Sequence, residues 1–515
     1  MNDSLPDRVR YGQHVATRNS ELDDVLVSSL RSAALERSVA LGASEASVRV
    51  EEIRAQYLTL RDGVLETTVD ETTIGMGVRV VHQGSVGFAG TVDLRADAAS
   101  HIAQQAFDSA QRVAPARSGD FELVAEPGHG TLEWSSPFRI DPIMVPLADK
   151  ISLLSEWSRQ LLAAPGVSHV SARVLAVSEI KHYADSAGTI AAQRRVRIHP
   201  AFDLVALGDD GDFETMRTIA PPVGRGWEYL LGEGWDWESE LACLPELLVE
   251  KLNSPSVDPG RYDLVIDPTN LWLTIHESIG HATELDRALG YEAAYAGTSF
   301  ATPDQLGTLK YGSPVMQVTG DRTAEHGLAT IAIDDEGVEA QSFDLIRDGV
   351  LVGYQLDRST AAVAGYSRSN GCAYGDSPLH LPIQRMANVS LKPGPANGPS
   401  TADLISGVER GLFIEGDKSW SIDMQRYNFQ FTGQRFFRIE NGKIVGQVRD
   451  AAYQATTTDF WGSMEAVGAE STYLLCGAFN CGKAQPGQVA SVSHGAPSAL
   501  VRNVSILNAR AEAGQ

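Results

Sequence analysis

The sequence predicts an α+β fold in three parts: a helix–sheet region over 1–118, a middle α/β region over 119–256 and a β-rich region over 257–515. Three observations carry this expectation. A chain of 515 residues is long enough for more than one core. The proline- and glycine-rich run Ser254–Gly260 reads as a linker. Beyond it, turn dipeptides flanked by apolar runs recur, as they do where hairpins dominate.

The elements follow in order. Ser20 is placed to cap a helix with Leu22, Val25, Leu26, Leu30 and Ala34 along one side, ended by Gly42. Val48 and Val50 open an extended segment, and Asp62-Gly63 and Gln83-Gly84 are hairpin turns. Ala96 to Val113 reads as a second helix, closed by the loop from Pro115 to Gly119. Lys150 to Ala164 carries an apolar helical stripe, and Val167 to Val177 reads as a strand. Trp227, Trp235 and Trp237 are expected in a core or a domain contact.

Tyr262 to Ile266 reads as a short buried strand. Asp267 then caps a helix with Pro268 at its first position, running to Leu289 with Gly290 as the stop. Asp348-Gly349 and Asn441-Gly442 are further hairpin signals. Phe429, Phe431, Phe436 and Phe437 fall in runs that alternate as strand residues do. The helix from Pro268 is therefore expected against a large antiparallel sheet that also carries Cys481.

Composition narrows the function. With 43% apolar and 21% charged residues the chain resembles an ordinary globular enzyme. A formal charge of −24 repels phosphate backbones and argues against direct nucleic-acid binding. Met1 to Gln13 lacks the apolar core of a signal peptide, and no stretch is apolar enough to cross a membrane. Four cysteines without a paired framework fit a reducing cytoplasm.

The chemistry is concentrated in His276-Glu277-Ser278-Ile279-Gly280-His281. Two imidazoles and a carboxylate within six residues resemble a zinc-hydrolase motif, but the second histidine is one residue late for the H-E-x-x-H spacing. On a regular helix i and i+4 are rotated by about 40°, whereas i and i+5 are rotated by about 140°. Both rings meet one ion only if the helix widens locally into a π-turn. Gly280 is expected to permit this because glycine tolerates unusual dihedrals. Glu284, one turn past His281, is expected to orient that ring or to ligate.

A catalytic zinc usually has three protein ligands. Cys243 and Cys476 lie in apolar runs and read as buried thiols. Cys481 lies in the turn-like Asn480-Cys481-Gly482-Lys483, where a nearby cation favours thiolate. Cys476 and Cys481 also have a C-x-x-x-x-C spacing, unlike the C-x-x-C of redox dithiols.

With these residues, the chain resembles the TldD/PmbA family of metallopeptidases, on its metal-bearing TldD side. The resemblance rests on the His276–His281 motif with Glu284-Leu285-Asp286, and on His380-Leu381-Pro382-Ile383-Gln384-Arg385-Met386-Ala387-Asn388. It rests too on Cys481-Gly482-Lys483 and on the glycine-punctuated stretch Gly75 to Ala89. Gln384 departs from a common proline. The resemblance implies zinc (Zn2+) held by His276, His281 and Cys481, with Glu277 as catalytic base. It implies a peptidase acting on short or unfolded polypeptides, working as a homodimer or with a related metal-free subunit. His380 is then a candidate catalytic donor, and Arg385 and Asn388 are candidate substrate contacts. The alternative is a non-hydrolytic zinc-binding scaffold or regulatory subunit.

Overall fold

Two long hairpins build the first half of the molecule. The structure is a computed structural model that describes residues 22–116, 123–209 and 211–512. Helix α1 (Asp24–Ala40) starts on Asp23, whose carboxylate accepts from the Leu26 amide at 2.7 Å. The expected cap, Ser20, lies outside the described residues. Strands β1 (Glu45–Arg61) and β2 (Val64–His82) turn at Asp62-Gly63, where both residues have positive φ, 52° and 77°. That is type I′ geometry, whose twist matches the strands. β3 (Ser85–Thr91) follows through Gln83-Gly84 in the same way. α2 (Ala96–Val113) lays Ile102, Ala103 and Ala106 on this sheet beside α1.

The chain continues through β4 (Thr131–Ser135), α3 (Leu147–Leu162), β5 (His169–Asp185), β6 (Ile190–Leu207), β7 (Phe213–Arg217) and α4 (Trp237–Asn253). The strand order is β3-β2-β1-β5-β6-β4, with β7 added to β6. β1 pairs with β5 from Ser47 to Arg61. The regions expected at 1–118 and 119–256 thus contribute to one sheet, and the junction between them lies outside the described residues. Trp227 and Trp237 are buried in the core beneath it, with Trp235 packed alongside. Cys243 is exposed, contrary to expectation. The buried face of α4 is set by Leu244 and Leu248, and Cys243 lies about 100° away from Leu244.

β8 (Gly260–Ile266) opens the second half and leads into α5 (Pro268–Ile275). β8 pairs in parallel with Arg410–Ile422 and antiparallel with Ala499–Asn508. Ala499–Asn508 pairs with Ala451–Thr456, which pairs with Asn428–Glu440, which returns to Arg410–Ile422. The circuit closes into a five-stranded barrel, so the expected antiparallel sheet is a closed one with one parallel pair. Leu264, Ile266, Phe431 and Tyr453 belong to its core. Cys481 is not on the barrel: it lies on a separate two-stranded ribbon, Leu474–Lys483 with Gln488–Ala496, set against α5. The ribbon's partner strand supplies its ladder, and Cys481 joins the same buried cluster as the barrel core.

The halves are locked together by buried charge. Arg49 on β1 and Lys181 on β5 reach Asp335 of the second half at 2.9 and 2.8 Å. Among the described residues no helix is long and apolar enough to cross a membrane.

Candidate metal centre

The Asp267 carboxylate accepts from the Thr269 amide at 2.9 Å, and Pro268 occupies the first turn. The helix therefore begins where the sequence indicates. It does not run unbroken to Leu289. α5 passes into one π-turn, His276–Gly280, in which the His281 amide donates to the His276 carbonyl five residues back. A short 3₁₀ turn, His281–Thr283, follows. Glu284 is extended (φ −71°, ψ 116°) because this segment pairs with Gln355: the Gln355 amide donates to the Thr283 carbonyl at 2.9 Å. A last helical turn, Leu285–Ala288, ends before Gly290, whose φ is 88°.

Widening a helix displaces carbonyls from their usual donors, and buried ones need others. Tyr311 donates its hydroxyl to the Ser278 carbonyl. Thr283 Oγ1 donates to the Ile279 carbonyl at 2.8 Å, and Gln355 Nε2 to the Gly280 carbonyl at 2.7 Å. Gly280 is in the ordinary right-handed region (φ −53°), so unusual dihedrals are not its purpose. A Cβ there would stand 2.5 Å from Met386 Sδ. Glycine leaves room for the Met386 thioether of the His380–Asn388 segment, which would have to move aside for a larger residue.

The π-turn brings the His276 and His281 rings to 4.6 Å between centroids. The ligand-type atoms of His276, His281 and Cys481 all lie within 4.8 Å of one another, and Cys481 Sγ is 3.7 Å from His281 Nε2. His276 Nδ1 lies 2.7 Å from His494 Nε2, and His281 Nδ1 lies 2.8 Å from Glu284 Oε2. Those outer contacts leave the inner nitrogens facing the cluster. Zinc bonds of about 2.0–2.3 Å place tetrahedral ligand atoms roughly 3.3–3.8 Å apart, so the donor set fits zinc after a small contraction.

Electrostatics agrees. Burial lowers the pKa of both histidines and favours the neutral, ligating imidazole. Burial alone would raise the Cys481 thiol, but His281 and the Arg385 guanidinium outweigh it and hold it below its ordinary value. Burial likewise opposes ionisation of Glu284, yet Lys483, His281 and Arg287 hold it well below the carboxylate range. Lys483 Nζ reaches Glu284 Oε1 at 3.1 Å, Asp286 Oδ1 at 2.8 Å and Gln384 Oε1 at 2.6 Å. Gln384, the departure from proline, thereby supplies an acceptor to the lysine two residues beyond Cys481.

Glu277 lies beside the cluster, and its Oε2 accepts from Arg426 Nη1 at 2.6 Å. Arg426 has positive φ (62°) and also donates to the Ala296 carbonyl at 3.0 Å. The four residues form part of the lining of a cleft of about 610 Å³ between the halves. The first sheet contributes Tyr57, Arg173 and His199 to its wall, and Trp420 stands on the other side.

His380, Arg385 and Asn388 do not line this cleft. His380 Nδ1 is 2.7 Å from Asp376 Oδ1, in a loop whose Pro378 and Leu379 press on Gly75 and Gly90. Buried Arg385 donates to the carbonyls of Cys481 and Gln488. Asn388 is fully buried and accepts the Ala329 and Ser493 amides at 3.0 and 3.2 Å. The segment backs the cysteine ribbon. Sequence reasoning missed His494, Arg426 and Gln355. Each is a lone polar residue outside any motif, and only its contact with the π-turn marks it.

The α+β chain thus gathers two imidazoles, a thiol and a carboxylate on the lining of one cleft, a donor set suited to a metal ion. Residues 259–508 match the PmbA/TldA metallopeptidase C-terminal domain, and residues 46–110 match domain 1 of the same group. The chain belongs to the PmbA/TldD metallopeptidase family. A metalloprotease of Methanothermobacter thermautotrophicus is 28% identical over 465 residues, covering 90% of this chain and 95% of its own. A metalloprotease TldD homolog of Haemophilus influenzae is 26% identical over 471 residues, covering 87% and 89%. The crystal structure of TldE from Thermococcus kodakarensis shares the fold with a TM-score of 0.67 at 16% identity, over 92% of this chain and 98% of its own.

Proposed function

We propose that the chain is a zinc-dependent peptidase that hydrolyses peptide bonds of short or unfolded polypeptides. The observation that carries this reading is the convergence of His276, His281 and Cys481 beside Glu277 at the cleft floor. Zinc held by the two Nε2 atoms and the Cys481 sulfur would supply Lewis acidity toward a carbonyl oxygen and a water. Glu277 takes the proton of the attacking water on its carboxylate and delivers it to the leaving nitrogen. Arg426 keeps that carboxylate aimed and brings a cation to the cleft, where negative charge develops during the reaction. The cleft walls hold the peptide and restrict water. A reducing cytoplasm keeps Cys481 available as thiolate.

The likeness to TldE supports a related metal-free subunit as the partner, with a homodimer as the other arrangement. Glu277→Gln is the direct test. It is expected to keep stoichiometric zinc by elemental analysis and to lower cleavage of an unfolded protein by about 10²- to 10⁴-fold. Wild-type cleavage by this variant would remove Glu277 from the mechanism.

The ion pair between Glu277 and Arg426 favours a second reading, a zinc-holding scaffold whose base is permanently engaged. It predicts bound zinc with no cleavage of any peptide, even with the related subunit supplied.

A further inference from the structure

His494 stands out among the buried histidines because no sequence motif contains it and no part of the hydrolytic reading uses it. It is fully buried and stacks on Trp272, with ring centroids 6.2 Å apart and planes 13° from parallel. Its Nδ1 is 2.9 Å from the Val389 carbonyl, and its Nε2 is 2.7 Å from His276 Nδ1. We propose that His494 is a positioning residue that fixes the tautomer and ring orientation of His276 before any metal arrives. The inference rests on the proposed metal site.

The logic is one of donors and acceptors. A carbonyl oxygen only accepts, so the hydrogen of a neutral His494 is on Nδ1. Its Nε2 then presents a lone pair and can only accept. His276 Nδ1 must therefore carry a hydrogen, and the lone pair of His276 is on Nε2, facing Cys481 and His281. The same result is reached for His281 by a different group, since Glu284 Oε2 accepts from its Nδ1. One ligand is oriented by a neutral ring anchored to the backbone, the other by a carboxylate. Outer partners of this kind typically change metal affinity 10- to 100-fold.

The fold makes the pairing economical. Cys476 and Cys481 lie on Leu474–Lys483, and His494 lies on its partner strand, directly opposite Cys476. Docking of this single ribbon on the π-turn delivers both the sulfur and the ring that orients His276. Trp272, one helical turn before His276, stacks on His494 and fixes the plane of its ring.

The test compares His494→Phe with His494→Gln in the full-length protein. Phenylalanine preserves the stack but offers no acceptor, whereas glutamine keeps an acceptor near the Nε2 position. Zinc(II) affinity is measured by competition with a chromogenic chelator, and cobalt(II) absorption reports whether thiolate still ligates. H494F is expected to bind zinc about 10- to 100-fold more weakly, with its sulfur-to-cobalt band retained at saturation. H494Q is expected to stay within about threefold of wild type. Should H494F fail to fold, H494A takes its place with the same expectation. Wild-type affinity in both variants, or equal loss in both, overturns the inference. Absence of zinc binding by the wild-type chain would overturn the metal site itself, a result distinguishable from either.

Discussion

At the residue scale, His199 shows how the cleft wall responds to acid. It is half-buried against Phe479, with ring centroids 6.0 Å apart. Burial, helped by Arg217 and Arg173, lowers its pKa from 6.5 to about 3. The unfolded chain therefore takes up this proton first as pH falls. The contribution is intact above pH 6.5 or so and drains away as pH drops toward about 3. His199→Phe keeps the stack and removes the titration. The difference between its thermal midpoints at about pH 7 and about pH 4.5 should be smaller than in the wild type. Equal differences would show that His199 does not sense acid. Arg426→Gln probes the other wall. It should leave zinc content unchanged and lower kcat by roughly 10²-fold with little change in KM.

At the element scale, the π-turn depends on donors from elsewhere in the chain. Gln355 donates to the Gly280 carbonyl at 2.7 Å and accepts the Ala387 amide at 2.8 Å. Gln355→Leu strands both groups and should cost about 1–3 kcal/mol for each, read from chemical denaturation of the metal-free protein. An unchanged midpoint would mean that the turn holds its shape without them. The need for this turn was legible in the i and i+5 spacing of His276 and His281, because geometry admits few ways to face both rings inward. Its supports were not legible, since nothing local links Gln355, Tyr311 or His494 to a helix far away in sequence. The Asp62-Gly63, Gln83-Gly84, Asp348-Gly349 and Asn441-Gly442 turns were legible because positive φ at paired positions restricts residue choice, and all four adopt it. Barrel closure was not, as strand pairing between distant segments leaves no local trace. The His380–Asn388 segment illustrates the same limit. Its place in the family resemblance suggested contact with substrate, while their partners show Arg385 and Asn388 holding backbone beneath the ribbon.

At the scale of the whole molecule, the cleft exists only while the first sheet stays seated on the second half. Asp335 is central to that contact, accepting from Arg49, Lys181 and the Gly375 amide at 2.7–2.9 Å. Asp335→Asn leaves two buried cations short of a counter-charge. It should destabilise the protein by about 3–5 kcal/mol and separate the unfolding of the two halves into distinct transitions. A single unshifted transition would show that other contacts carry the interface. The separation of the proposed ligands along the chain has a consequence for biogenesis. His281 and Cys481 are 200 residues apart, on segments that meet only after folding. A ribosome exposes the imidazoles well before it has made the sulfur. On the proposed zinc-peptidase reading, a nascent polypeptide is thereby denied a complete set of ligands, and its neighbours on the polysome are spared from premature digestion until translation has passed the final hairpin.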